Sequence, residues 1–485
     1  MPVHRCMTAV AAMLLAALVG PTGGQAADHN ATPATLDSVV SAARGGDVIH
    51  LASGQYGTFH GASKSSMVTI KADAGVQASI AADLQNASNL RFEGLRVTQA
   101  NIERSTGIEF VGNTFTGPAL IDTTDRNGDH AILFDGNSHD GIAVCRSCFE
   151  GRITVHGSSI NTTPVGVTIR NSRFGGGGNS DGIQVGSYGV EILGNEFSDL
   201  RQGDPSLAHT DAIQLYGQSH TVIRGNYMHD VATGILCADG CNNEIIEHNV
   251  ISTINRYPAV LLGPDRNSII RHNTFPSAPV RVDEGNGPGS SSGTTIQDNI
   301  MDSYAVKGTG LKTAFNLLTD GGKRDSSDMR ADPVFVGGAR PTTPAGYKLA
   351  SRSPGAGDAS DGTDRGADVS KVGAAAAGAA PPAPSGVSIS VRRHISWDRL
   401  RRGVRLRIRA TQPVKLELAL IPKGRRHALA RRRIDDVAAG VRTVVVRPKK
   451  RVLGKRRSRT LKLRVKIVDA AGAATYQRFT IRVRR

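Results

Sequence analysis

An asparagine recurs along the middle of this 485-residue chain. An apolar residue stands three positions before it, and another usually stands two positions after it. The copies are centred on Asn113, Asn137, Asn195, Asn226, Asn249, Asn273 and Asn299, with Leu95 and Ser172 in the same slot of two further copies. Successive slots are 18, 24, 35, 23, 31, 23, 24 and 26 residues apart. A period near 23 predicts a solenoid of strands and turns, because helical repeats are longer.

The recurring asparagine predicts a tight bend in each coil. Asn tolerates left-handed backbone angles, and its amide can hydrogen-bond to the Asn of the next coil. We therefore expect a structural Asn ladder with no catalytic role. Each coil would contribute about three short strands, and coils would stack about 4.8 Å apart.

Two near-copies within the repeat combine acidic and amide residues. Asp181 and Gln184 stand in the first, and Asp211 and Gln214 stand thirty residues later in the second. If these segments form neighbouring strands, each Gln points to the opposite face from the apolar residues beside it. The pattern predicts short polar ladders on the outer face of a sheet.

Composition divides the chain into four parts. Residues 1–26 are typical of a secretory signal, with Arg5 before an apolar stretch that is too short to span a bilayer. Residues 27–370 hold the repeat, with a capping helix expected at about 33–44. An Ala/Pro/Gly-rich linker follows at 371–386, and alternating apolar and basic residues over 387–485 predict a small antiparallel β-sandwich.

The C-terminal part is strongly basic. Residues 387–485 contain 31 Lys and Arg against 5 Asp and Glu, a net of +26, so the remainder has 28 basic and 37 acidic residues, a net of −9. Such a surface could bind acidic glycans or other polyanionic polymers. Export and the absence of interleaved aromatic residues argue against nucleic acid. A merely soluble Arg-rich surface is the alternative.

Four cysteines remain once the signal is removed. Their short spacings favour the disulfide pairs Cys145 with Cys148 and Cys237 with Cys241. A zinc site is the alternative for two close pairs.

The opening Gly46-Asp-Val-Ile-His-Leu-Ala-Ser-Gly-Gln-Tyr56 and the Gly-Asn repeats resemble the pectate-lyase-like superfamily. Residues 332–366 are similar to a closing segment common in that group. The resemblance implies an all-β fold, a right-handed parallel β-helix. It does not define the reaction, since such folds host lyases, hydrolases, epimerases, esterases and non-catalytic modules.

Two groups within the superfamily make sharper comparisons. Asn179-Ser-Asp-Gly182 resembles one polygalacturonase motif, but the other three motifs of that family do not match. Chondroitinase-B-like and alginate-lyase-like enzymes are similar in the opening segment and use a Lys and an Arg on adjacent coils, with calcium ligands nearby. That resemblance implies catalytic roles for Arg281 and Lys307, although their order is reversed here.

β-Elimination on a uronic acid requires a neutralised carboxylate, a base for the C5 proton and an acid for the leaving oxygen. The candidate catalytic residues are His209, Asp211, Asp181, Arg281 and Lys307. Calcium is the candidate cofactor, with Asp181, Asp211 and Asp283 as ligands. Substrate-binding candidates are Gln184, Gln214, Tyr216 and Tyr257.

These patterns favour a secreted, monomeric polysaccharide lyase that acts on an acidic, uronate-containing polysaccharide. A glycoside hydrolase or epimerase in the same groove is the enzymatic alternative, with Asp181 and Asp211 as its acid and base. A non-catalytic glycan-binding or surface protein is the alternative from another class, because Asp at a strand start is often only a turn residue.

Overall fold

The computed structural model describes residues 26–142, 151–158, 161–177, 180–201, 210–217, 219–254, 257–283, 289–373, 387–391, 394–410, 414–422, 429–437, 440–448, 459–468 and 474–484. Within these ranges no helix is long and apolar enough to cross a membrane. The predicted signal at 1–26 and most of the predicted linker at 371–386 lie outside the described residues.

Three long parallel sheets form the N-terminal module. The first consists, in spatial order, of β1 (Asp28–Ala31), β2 (Val48–Leu51), β4 (Ser63–Lys71), β6 (Ser88–Glu93), β8 (Thr106–Val111), β11 (Ile132–Asp135), β13 (Val167–Arg170), β16 (Glu191–Leu193), β19 (Val222–Arg224), β23 (Ile245–Glu247), β27 (Ile269–Arg271), β30 (Thr295–Gln297) and β33 (Lys312–Ala314). The second consists of β3 (Gly54–Phe59), β5 (Ala78–Gln85), β7 (Arg96–Glu103), β10 (Ala119–Asp122), β12 (Gly151–His156), β15 (Asp181–Val185), β18 (Asp211–Leu215), β21 (Thr233–Cys237), β25 (Val260–Leu262), β29 (Val280–Val282) and β32 (Tyr304–Val306), with β9 (Thr114–Phe115) paired to β7. The third consists of β14 (Arg173–Phe174), β17 (Glu196–Ser198), β20 (Tyr227–Val231), β24 (Val250–Thr253), β28 (Thr274–Phe275), β31 (Ile300–Met301), β34 (Leu317–Leu318) and β35 (Met329–Arg330). A further short pair joins β22 (Cys241–Asn242) to β26 (Asp265–Arg266).

The asparagine slots form a continuous buried ladder. From Asn195 the Nδ2 group of each Asn donates to Oδ1 of the next, at 3.0 to 3.1 Å, through Asn226, Asn249, Asn273, Asn299 and Asn316. Ser172 joins the two halves, because its hydroxyl accepts from the Asn137 backbone and its own backbone donates to Asn195. The predicted ladder is confirmed, and Asn316 extends it by one coil.

The left-handed residue of each bend was predicted wrongly. It lies one position before the ladder residue, as at Gly225 (φ 68°), His248 (φ 57°) and His272 (φ 49°). The chain turns at this position, so the following Asn stays in a backbone conformation that directs its amide into the stack.

Stacked apolar residues fill the interior. Phe92, Phe110 and Phe134 lie on successive coils with ring centroids 4.9 and 5.0 Å apart, close to the spacing between strands. Helix α1 (Leu36–Ala42) lies within the predicted capping interval, and its Leu36 and Val40 are buried in the same core. The solenoid core therefore extends to the N-terminal helix.

The segment after β35 folds back against the solenoid. It includes 3-10 helices at Pro344–Tyr347 and Val369–Lys371. Arg365, only 4% exposed, donates through Nη1 to the Asn316 carbonyl at 2.9 Å and through Nη2 to Asp358 at 2.6 Å. These bonds fasten residues 358–365 to the last bend of the Asn ladder.

The C-terminal residues form two sheets around one apolar cluster. One is antiparallel and contains β36 (Val387–Val391), β38 (Val404–Ala410) and β41 (Gly440–Val446). The other has the spatial order β37 (His394–Ser396), β43 (Ala474–Arg484), β42 (Arg459–Val468), β39 (Val414–Pro422) and β40 (Ala430–Val437), and helix α2 (Trp397–Arg402) follows β37. This second sheet departs from the predicted antiparallel arrangement, because β37 pairs with β43 in parallel.

Cys237 and Cys241 form a disulfide, which confirms the predicted pair and excludes zinc binding by these two residues. Both are fully buried. Cys145 and Cys148 lie outside the described residues, so their pairing stays a prediction.

Candidate functional site

The predicted polar ladder lies on the outer face of the second sheet. Thr154 on β12 pairs in register with Gln184 on β15, which pairs with Gln214 on β18. Gln184 Nε2 donates to Gln214 Oε1 at 3.3 Å. Both Gln residues are buried. The two amides that were predicted to bind substrate therefore form a hydrogen bond with each other.

A local irregularity directs Asp181 towards the same outer face. Simple alternation along β15 would put Asp181 inside with Ile183. A Cβ atom at Gly182 would instead approach the Ala212 carbonyl oxygen at 2.4 Å and the Phe197 ring at 2.7 Å, so Gly182 faces the interior. Only glycine fits at this close approach, and Asp181 is left on the outside.

The Asp181 carboxylate is held by its neighbours. Its Oδ1 accepts the backbone N–H of Asp211 at 2.7 Å, and its Oδ2 accepts Gln184 Nε2 at 3.0 Å. Asp181 and Asp211 are 2% and 0% exposed, although they lie on the outer side of the sheet. Neither carboxylate is therefore exposed to solvent.

Three residues lie side by side at the ends of the same strands. His156, Gly186 and Tyr216 follow one another across β12, β15 and β18, since Gly186 N–H donates to Val155 and Tyr216 N–H to Val185, both at 2.8 Å. His156 and Tyr216 are therefore about two strand spacings, or about 10 Å, apart, and Gly186 places no side chain between them. Tyr216 is 37% exposed, and its hydroxyl donates to Gln214 Oε1 at 3.1 Å.

Arg281, Asp283 and Lys307 form a second polar group on the same sheet. Arg281 lies on β29, three strands from β18, which corresponds to about 14 Å. It donates to Asp283 at 2.7 Å, and Lys307 follows β32, the next strand. Leu236 and Leu261 occupy the intervening positions of the Gln column. The predicted catalytic set is therefore divided between two places.

The predicted calcium ligands do not fit one ion. Asp283 lies about three strand spacings from Asp211, beyond the reach of a shared ion with ligands near 2.4 Å. Both Asp181 carboxylate oxygens already accept protein hydrogen bonds. Among the described residues, no group of three or more His, Cys, Asp or Glu is arranged to hold a metal.

Two further sequence candidates remain, and the structure describes only one of them. Tyr257 is 48% exposed and precedes β25, two strands from Asp211. His209 lies in the segment 202–209, outside the described residues, so its predicted catalytic role stays a prediction.

Sequence analysis missed a buried polar group beside the ladder. Buried atoms without a hydrogen-bond partner in the described part of the chain include both ring nitrogens of His139, Arg152 Nε and Thr154 Oγ1. Arg152 donates to the carbonyls of His139, Gly175 and Gly177, and burial lowers its pKa to about 10. It thereby ties the glycine segment before Asp181 to the coil below. The clustering of unpartnered polar atoms here favours a functional site.

His139 makes this group sensitive to acid. Its ring stacks between Phe115 and Phe174 at 4.4 and 4.8 Å, and burial, with the charge of Arg152, lowers its pKa to about 3. Between pH 6.5 and about 3 the unfolded chain binds this proton and the folded chain does not. The stability that depends on neutral His139 is therefore lost as pH falls through this window.

Replacing His139 with phenylalanine is expected to raise the free energy of unfolding by about 1–3 kcal/mol at pH 7, because no buried ring nitrogen is left unpartnered. Below pH 6.5 the gain over wild type should grow by about 1.4 kcal/mol per pH unit. Urea unfolding at pH 7, 6 and 5 measures both quantities. His60→Phe, at an exposed ring, is the control. A pH-independent difference would contradict the assignment of neutral His139.

Comparison with known proteins assigns the class of the N-terminal module. Residues 101–301 match the family model described as a right handed beta helix region. This match and the parallel sheets define a right-handed parallel β-helix, as predicted. A search of curated proteins finds no match.

Several solved structures are similar to the chain. The PL6 family alginate lyase AlyGC is 14% identical with a TM-score of 0.47, over 76% of this chain and 61% of that enzyme. A mannuronic acid specific polysaccharide family 6 lyase from human gut microbiota is 12% identical with a TM-score of 0.38, over 63% of this chain and 91% of that one. Pectate lyase Pel9A is 12% identical with a TM-score of 0.34, over 71% and 96%.

Proposed function

We propose that this chain is an exported polysaccharide lyase that cleaves a uronate-containing polysaccharide by β-elimination on the outer face of the second sheet. The observation that carries the proposal is the pair His156 and Tyr216, which lie on either side of Gly186 beside the buried Asp and Gln ladder. Polar side chains presented by a rigid scaffold are a usual form of carbohydrate site. The Cys237–Cys241 disulfide supports export, because such bonds persist in oxidising compartments.

The roles follow from exposure and reach. His156 and Tyr216 lie on either side of Gly186, so one would remove the C5 proton while the other donates to the O4 oxygen as the C4–O4 bond breaks. Gln214 orients the Tyr216 hydroxyl. Arg281 and Lys307, about 14 and 19 Å from β18, would bind the carboxylate of a more distant sugar unit rather than the reacting one.

A non-catalytic glycan-binding protein is the second candidate. One observation favours it: both oxygens of Asp181 accept hydrogen bonds from protein groups, as expected of a structural turn residue. In that case the exposed Tyr216 ring would bind a sugar unit without cleavage.

The test is absorbance near 235 nm, where a 4,5-unsaturated uronate absorbs, during incubation with alginate, pectate, chondroitin, hyaluronan and glucuronan. The proposal predicts a rise with at least one polymer, and a parallel series with added calcium measures metal dependence. New reducing ends without a rise at 235 nm would indicate hydrolysis. Neither signal, with retained polymer binding, would favour the non-catalytic candidate.

A further inference from the structure

The C-terminal sheets separate apolar and basic residues by face. On β42, Leu461 and Leu463 are buried and Lys462 between them is exposed. On β40, Ala430 is buried and Arg431 is exposed. Since the inner faces are filled by one apolar cluster, the alternate strand positions place basic residues on the outer faces.

The register of the five-stranded sheet aligns basic positions across neighbouring strands. Ala419 on β39 pairs with Arg431 on one side and with Arg464 on the other, and Arg464 pairs with Arg478 on β43. This row contains three arginine positions and no acid. Like charges directly opposite one another destabilise a sheet, so stabilisation of the sheet does not explain why arginines occupy these positions.

The neighbouring row contains an acidic residue, Glu417. Glu417 pairs with Arg433 on one side and with Lys466 on the other, so two basic positions adjoin a single carboxylate. Further along, Lys462 and Arg482 are exposed. We call the exposed residues Arg431, Arg433, Lys462 and Arg482 the basic face.

We propose that the basic face binds an acidic polysaccharide and holds the β-helix on that polymer. Guanidinium groups bind carboxylates through paired hydrogen bonds, and arginine outnumbers lysine 24 to 7 in residues 387–485. Within a row, residues on neighbouring strands are about 4.8 Å apart. A polymer chain that crosses the strands can therefore contact them in succession. The choice of a uronate polymer rests on the proposed function, whereas the charge complementarity does not.

The composition of the face disfavours single-stranded nucleic acid. Binding of that kind relies on aromatic side chains on which successive bases stack. The register places one aromatic position, Tyr476 opposite Lys466, beside this set. A polymer that carries carboxylates can bind without aromatic side chains for stacking.

The experiment compares two triple variants of the full chain. Arg431→Ser, Arg433→Ser and Lys462→Ser together remove three exposed cations from the basic face. Arg96→Ser, Lys323→Ser and Arg340→Ser together remove three exposed cations from the β-helix module and give the same change in net charge. Retention on immobilised alginate and polygalacturonate is measured against sodium chloride concentration.

We expect the basic-face variant to bind at least about tenfold more weakly than wild type near 0.1 M salt, with a shallower salt dependence, because fewer counterions are released. The control variant should match wild type. Equal binding by both variants would overturn the proposal. Tighter binding of a DNA duplex, or of vesicles containing anionic lipid, than of either polysaccharide at the same salt would also overturn it.

The experiments can contradict the binding proposal and the cleavage proposal independently of each other. Retention is measured without turnover, so a protein that shows no 235 nm signal but loses retention in the basic-face variant still supports the basic face. A protein that cleaves polymer but binds equally in both variants supports the lyase and contradicts the basic face.

Discussion

Replacing Asn249 with leucine is expected to lower the free energy of unfolding of the β-helix by about 2–6 kcal/mol. Oδ1 of Asn249 accepts the backbone N–H of Asn226 at 2.9 Å, and its Nδ2 donates to the carbonyl of Ile223 at 2.9 Å. Leucine leaves this buried N–H and this carbonyl without partners, and each costs about 1–3 kcal/mol. The loss is a large fraction of the usual stability of a domain.

Asn249→Ser is the matched variant. Ser172 already occupies one ladder slot, where its hydroxyl accepts the Asn137 N–H at 3.1 Å. Serine should therefore keep the backbone partner of Asn226 and cost less than leucine. Chemical unfolding followed by circular dichroism measures both losses. Equal stability of the two variants would show that the ladder does not hold the coils together.

The repeat was predictable because it is periodic in both sequence and space. Asn195, Asn226 and Asn249 recur at the spacing of the coils, and stacking them requires only that each coil close. The residue that takes the left-handed conformation was not predictable in the same way. His248 and Phe315 occupy it as well as glycine, so its position depends on how the chain turns rather than on residue type.

The candidate site was only partly predictable. Asp181, Asp211 and the two Gln residues were identified as one group because their segments are near-copies. His156 was missed, since it lies on β12, within the 35-residue interval between Asn137 and Ser172 that breaks the period. Arg152 was missed because strand alternation alone does not reveal that its side chain caps interior carbonyls.

Arg281 and Lys307 were grouped with Asp211 because a lyase can use cationic and acidic side chains together. Their separation follows from the register, in which β21 and β25 lie between β18 and β29. Each intervening strand adds about 4.8 Å, so residues with compatible chemistry are too far apart to act on one bond.

The second large effect concerns the position of the reaction. His156→Gln and Tyr216→Phe are expected to lower kcat by about 10²–10⁴-fold, the usual loss when a general acid or base is removed. Both variants keep side-chain size, so the fold should be retained. Arg281→Ser with Lys307→Ser should raise KM and leave kcat within about twofold, because remote contacts bind ground state and transition state alike.

The most direct measurement is kcat from the initial rate at 235 nm, on the polymer that wild type cleaves, for these three variants. The account predicts a large loss in kcat for His156→Gln and Tyr216→Phe and a change confined to KM for the Arg281 and Lys307 double variant. Loss of kcat in the double variant, with nearly normal rates for His156→Gln and Tyr216→Phe, would place the chemistry on β29 and β32 and contradict the site described above.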